Sequence, residues 1–171
     1  MLRWCLLLSL LTASVATVTP RALAQTGTSA GVALVTGNGT YPGLPPLPAC
    51  LASAHAVAAT LHDLHFAVVE REDASAGEMD AALSQFTQQV RQAGKPATVI
   101  YSCGYGAPFN GRPFLLPVSA TVTRPADLLT QAILAKSVLD TVSQGDAGES
   151  LAVLDVTPMP NMPAGVDLAT V

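Results

Sequence analysis

Four short apolar runs constrain most strongly what this chain can fold into: Val32-Ala33-Leu34-Val35, Phe66-Ala67-Val68-Val69, Ala97-Thr98-Val99-Ile100-Tyr101 and Leu151-Ala152-Val153-Leu154. Continuously apolar runs of this kind are strands covered on both faces, as in a parallel sheet. The segments between them change period. From about Ala49 to His65, Leu51, Ala54, Val57 or Ala58, Leu61 and Leu64 recur at helical spacing. Met79, Leu83, Phe86 and Val90 form a second helical stripe, with Gly94 placed to cap it. Leu128, Ala132, Ala135, Leu139 and Val142 mark a third helix, and Asn110-Gly111 between Phe109 and Phe114 marks a small hairpin. Strand–helix alternation predicts an α/β fold: a three-layer sandwich with a mostly parallel central sheet and helices on both faces, the sheet ending at its fourth strand. Ligands of such sheets bind at the carboxyl ends of strands where the strand order switches. A site is therefore expected in the loops at 36–48, 102–109 and 155–160.

Composition removes several classes of function. Lys plus Arg number 8 against 12 for Asp plus Glu, a net charge of −4, and no basic stripe exists, so nucleic acid is not an expected partner. Met1-Leu2-Arg3 gives a positive start, Trp4 to Pro20 carries no charge, and Ala22-Leu23-Ala24 fits a signal peptidase site before Gln25. The stretch is too short and too rich in Ser and Thr for a membrane span. Residues 1–24 are expected to be a signal peptide and 25–30 a lead-in, giving a secreted or periplasmic protein with no membrane attachment after cleavage. Cleavage would remove Cys5 and leave Cys50 and Cys103, a candidate pair in an oxidising compartment.

The first loop invites a dinucleotide reading, since Gly37-x-Gly39 follows a strand, but the third glycine position is Pro42 and the helix starts late. No Gly-Lys-Ser/Thr is present for a phosphate loop, so no cofactor is expected. His55, His62 and His65 share the first helix, yet no carboxylate or thiol cluster completes a metal site with them, and no metal is expected. Glu70 to Asp73 reads as a solvated strand exit, and the sequon Asn38-Gly39-Thr40 falls in a loop expected to be packed.

Several strings together resemble the caspase-like cysteine peptidases, especially bacterial metacaspase-type domains, over about 31–160. Val32 to Tyr41 is similar to that family's opening strand and its Gly-Asn-x-x-Tyr loop; the run Leu44 to Pro48, the helix and its following Phe-x-Val strand also fit. Gly111-Arg112-Pro113-Phe114-Leu115-Leu116-Pro117 is similar to the family's Gly-x-x-Tyr-Leu-Leu-Pro. The resemblance implies a caspase-like domain over 31–160, a tail at 161–171 and an ancestral cleavage after Arg or Lys.

The same resemblance places the family's catalytic His at Tyr105, in Cys103-Gly104-Tyr105-Gly106, and its nucleophilic Cys at Thr157, in Asp155-Val156-Thr157. The string that helps build the basic-residue pocket becomes Ala52-Ser53-Ala54, so Ser53 stands where a carboxylate is expected and Asp155 alone is kept. A cysteine peptidase needs a partly ionised thiol and an imidazole to shuttle its proton. A Thr hydroxyl stays protonated, and Tyr titrates near 10. The expectation is a catalytically degenerate pseudopeptidase that binds a peptide or protein, with Cys50, Ser53, Cys103 and Asp155 as pocket residues. The rival reading is an active cysteine endopeptidase that has relocated its nucleophile to Cys103 or Cys50. In the family the positions of Cys50 and Cys103 border the pocket, which implies a disulfide across it. Family members continue beyond the nucleophile with further strands, so an unpaired sheet edge here offers a surface for a partner or a homodimer.

Overall fold

The computed structural model describes residues 29–143 and 147–163. The expected leader over 1–24 and most of the lead-in and tail lie outside the described residues. Six strands form one sheet: β1 (Gly31–Gly37), β2 (Phe66–Glu72), β3 (Ala97–Phe109), β4 (Arg112–Leu115), β5 (Ile133–Leu134) and β6 (Ser150–Pro158). The helices are α1 (Pro48–Asp63), α2 (Ala76–Ala93), a short α3 (Leu128–Gln131) entered through a 3-10 turn, and α4 (Ala135–Ser143). β1 lies between β2 and β3, parallel to both, and β6 joins β3 in parallel on its other side. The chain passes from β1 to β2 on one side and then back to β3 on the other, so the order switch falls at β1 and β3. β4 and β5 extend the sheet antiparallel.

The three layers follow from strand alternation. Every residue of β1 is buried, and its side chains divide by parity. Val32 and Leu34 pack with Val69 and Ile100 under Ala82, Phe86 and Val90 of α2 and Val138 of α4. Ala33 and Val35 pack with Tyr101 and Cys103 under Cys50, Ala54, Ala58 and Leu61 of α1. The three-layer α/β sandwich expected from the apolar runs is thus observed. Local signals hold α2 at both ends: Ser75 and Glu78 form a reciprocal capping box, and Gly94 takes φ 65° at the C-terminus. Asn110 and Gly111, at φ 50° and 69°, make the tight turn of the β3–β4 hairpin. Among the described residues no helix is long and apolar enough to cross a membrane.

Three expectations need correction. The third helix is broken: Ala132 is extended at φ −110°, ψ 162°, and Ile133–Leu134 pair with Leu115 and Phe114. Leu128 belongs to the core at the strand ends, whereas Ala135 and Val138 belong to the core under α4. One straight stripe cannot reach both, and the free edge of β4 captures the residues between. The segments expected as loops at 102–109 and 155–160 are largely strand: the Tyr105 carbonyl accepts from Leu116 and the Gly106 carbonyl from Met159, so β3 continues into the hairpin and β6 runs through Pro158. The Glu70 to Asp73 run is not merely a solvated exit: Glu70, Arg71 and Glu72 are in β2, paired with β1, and Glu70 is half-buried.

Candidate functional site

Period 2 puts Tyr101, Cys103 and Tyr105 on the α1 face of β3. The parallel register sets Tyr101 beside Val153, Cys103 beside Asp155 and Tyr105 beside Thr157. The positions where the resemblance locates the family's His and Cys are therefore direct neighbours on adjacent strands. Around them the structure brings together Cys50 and Ser53 from α1, Tyr101, Cys103 and Tyr105 from β3, and Asp155 and Thr157 from β6.

Cys50 and Cys103 are joined by a disulfide, with Cα atoms 5.2 Å apart and a separation of 53 positions in sequence. α1 can approach this closely because the strand it crosses has no side chain at Gly37, where a Cβ would lie 2.5 Å from the Ala54 Cβ. The Asp155 carboxylate sits 3.5 Å from Cys103 Sγ and accepts a long bond from the Tyr101 hydroxyl at 3.4 Å. Burial pushes the Tyr101 phenol up; a Ser53 hydrogen bond works against this, and the negative charge of Asp155 adds to it. Tyr101 is thus held neutral between Ser53 and Asp155.

Tyr105 is buried and committed on both sides. Its hydroxyl donates to the Pro45 carbonyl at 3.1 Å, and its N–H donates to the Tyr41 hydroxyl at 3.0 Å. Its ring meets that of Tyr41 edge to face, 5.0 Å between centroids. Tyr41 in turn donates to the Leu116 carbonyl at 2.9 Å. Burial pushes Tyr41 up to about 12, although bonds with Tyr105 and Asn38 oppose the rise. Gly104 makes room for this network, since a Cβ there would stand 2.6 Å from the Tyr41 hydroxyl. The loop itself is fixed from below. Asp73 accepts from the N–H groups of Gly39 and Thr40, both at 2.8 Å. Burial raises its carboxyl, but bonds from Thr40 and Gly39 outweigh that and hold it below the usual carboxylate range. Asn38 is buried, accepting from the Ala74 N–H and donating to the Leu116 carbonyl, so the sequon's amide is used inside the fold.

The chemistry here is that of a closed, hydrogen-bonded rim with a single exposed carboxylate, Asp155. Tyr41 and Tyr101 were not singled out as site residues from sequence. The alternation of 101, 103 and 105 could have found Tyr101, whereas the reach of Tyr41 to β3 is set by tertiary packing. His62 lies in the last turn of α1, far from Cys50, and His65, expected on the same helix, falls in the turn beyond its end at φ 62°; both are outside this rim. The metal-ligating side chains that do converge among the described residues are His55, Glu70 and Glu72, on the β2 side.

Two apolar grooves flank β6. One, about 560 Å³, runs along the α1 face between Val57, Leu61, Leu64, Tyr101, Leu151 and Val153. The other, about 310 Å³, lies near the hairpin and is lined by Ala107, Phe114, Ala135, Leu154, Val156 and Pro158. Among the described residues the backbone between them has a free side. Glu149 and Met159 bond to β3, so odd-numbered residues of β6 face β3 and the N–H and C=O groups of Ala152, Leu154 and Val156 face outward. Pro158, which lacks an N–H, also falls at an outward position.

Comparison with curated proteins gives no match. The family model of the caspase domain matches residues 30–157, well over half of the chain and the whole span from the approach to β1 through Thr157. The sheet, the register at its rim and that match agree: the chain belongs to the caspase domain family.

Proposed function

We propose that this protein is a secreted pseudopeptidase, a caspase-type domain that binds an extended peptide or a partner protein and does not cleave it. The observation that carries the reading is the outward edge of β6, unpaired among the described residues and set between two apolar grooves. An incoming strand would bond to the backbone of Ala152, Leu154 and Val156, and its alternate side chains would enter the two grooves.

The loss of cleavage rests on the rim. Tyr105 and Thr157 offer a phenol and an alcohol where the family uses an imidazole and a thiol, and the Tyr105 hydroxyl is already bonded to Pro45. Losing a member of such a pair removes on the order of 10³–10⁶ in rate. The rival reading, a nucleophile moved to Cys103 or Cys50, is disfavoured because a disulfide sulfur is not a thiolate.

The test has two arms. Peptides ending in Arg or Lys, with and without calcium, should show no turnover, and a thiol-directed covalent peptide probe should not label the oxidised protein. Turnover abolished by Cys103→Ala would overturn the reading. In the second arm, an array of extended peptides with alternating apolar residues should yield binders that are lost on Ala152→Pro, which deletes an outward N–H and spares the β3–β6 ladder. Binding unchanged by that substitution would remove the strand edge from the proposal.

A further inference from the structure

The charged end of β2 and the middle of α1 bring three potential metal ligands together. Glu70 and Glu72 are two apart on one strand and continue the row of Phe66 and Val68, which packs toward α1. His55 follows Ala54, the residue pressed against β1 at Gly37, and this close approach carries His55 over the outer strand. One ligating atom from each of His55, Glu70 and Glu72 lies within 4.8 Å of the others. His55 Nδ1 is 3.9 Å from Glu70 Oε1, too far for a hydrogen bond.

A second observation points to something held there. The Glu70 side chain is 30% exposed, but its Oε1 is buried from water and has no hydrogen-bond partner among the described residues. A carboxylate oxygen in that state carries a desolvation cost that a bound cation would offset. Arg71, the nearest cation in sequence, turns away to its own strand: its guanidinium bonds to the Glu70 carbonyl and to Gln85 of α2.

We propose that His55, Glu70 and Glu72 form a site for a divalent transition-metal ion, zinc being the best fit, which ties α1 to the β2 edge. One imidazole and two carboxylates suit zinc and its first-row neighbours, whereas calcium and magnesium take oxygen-only sets. Two carboxylates balance the charge of the ion. Tetrahedral ligation with bonds of about 2.0–2.2 Å needs donors roughly 3.4 Å apart, so the three atoms must close by about an ångström. His55 and Glu72 are exposed and can turn to do so. The fourth position would hold water.

The experiment is zinc titration of the full chain by calorimetry, with thermal unfolding as a second readout. One equivalent should bind and raise the melting temperature. His55→Ala and Glu70→Gln should each weaken binding by about tenfold or more and abolish the thermal shift. His62→Ala should leave both unchanged, and excess magnesium should not compete. No binding at about 100 μM zinc, or binding that survives both substitutions, would overturn the assignment. Loss of binding in His62→Ala with retention in His55→Ala would also overturn it, by moving the site to the other histidines. Melting of the zinc-free variants separates a failure to fold from a failure to bind.

Discussion

At one side of the sheet β2 ends in Glu70-Arg71-Glu72; at the other, β6 reads Leu151-Ala152-Val153-Leu154-Asp155-Val156-Thr157 with a single charge. Both strands lie outermost in the parallel part of the sheet among the described residues, yet only β2 carries the charged side chains that discourage another chain from adding on. Its Val69 is also covered, at 1% exposure beneath α2, and Phe66 and Val68 are half-buried against α1. On β6, Leu151 is 58% exposed, Val153 42% and Val156 39%. Large apolar side chains left this open beside unpaired backbone are the chemistry of an interface. The difference teaches that the β2 edge is guarded by charge, whereas the β6 edge, among the described residues, leaves apolar side chains and strand backbone open.

The comparison can be broken most severely from the closed side. Phe86 is fully buried where α2 covers the sheet, so Phe86→Ala should lower unfolding free energy by about 3–5 kcal/mol, read by chemical denaturation. A loss below about 1 kcal/mol would show that α2 does not anchor the β2 half.

On the other side of the sheet the helix is held by a covalent bond. Replacing Cys50 and Cys103 together by Ala should cost about 2–4 kcal/mol, checked against the oxidised protein in the same denaturant. No difference between oxidised and replaced forms would mean that packing alone fixes α1 beside the open groove.

The rim joining the two halves should be sensitive to alkali. Tyr41 is pushed up to about 12 by burial, while an unfolded tyrosine ionises near 10. The folded state keeps it neutral, so its contribution is fully present below pH 10 and is lost as pH rises from about 10 to 12. Tyr41→Phe should flatten that part of the stability profile; the full difference corresponds to about 2–3 kcal/mol.

The smallest effect on stability and the sharpest on association should come from Val153→Lys. The side chain is exposed, so stability should change by less than about 0.5 kcal/mol. Self-association at high concentration, followed by sedimentation, should fall because a lysine guards the edge. A wild-type protein that stays monomeric at every concentration would leave the β6 edge to a different partner.

How much of this was legible beforehand depends on the range of the interaction. The four apolar runs and the α1 and α2 stripes are local repeats, and each became the element its period implied. Ser75, Glu78 and Gly94 bound α2 through contacts only a few residues long. Asn110-Gly111 likewise named its own turn. The stripe from Leu128 to Val142 misled because its apolar residues serve two different cores, and a periodic pattern does not say which neighbour each residue will meet. The family strings located the rim, since motif order along the chain is itself sequence information.

The sequence by itself determined the four apolar strands, the two long helices, the α/β layering and the residue types at positions 105 and 157. Tertiary structure alone decided that Tyr41 bridges β3 and Leu116, that Tyr101 lies between Ser53 and Asp155, and that His55 meets Glu70 and Glu72. The first depends on the space left at Gly104 of β3, and the other two on the register between β3 and β6 or on the close crossing of α1 over Gly37. Short-range periodicity fixes which way a side chain points, but only the packing of distant segments fixes what it points at.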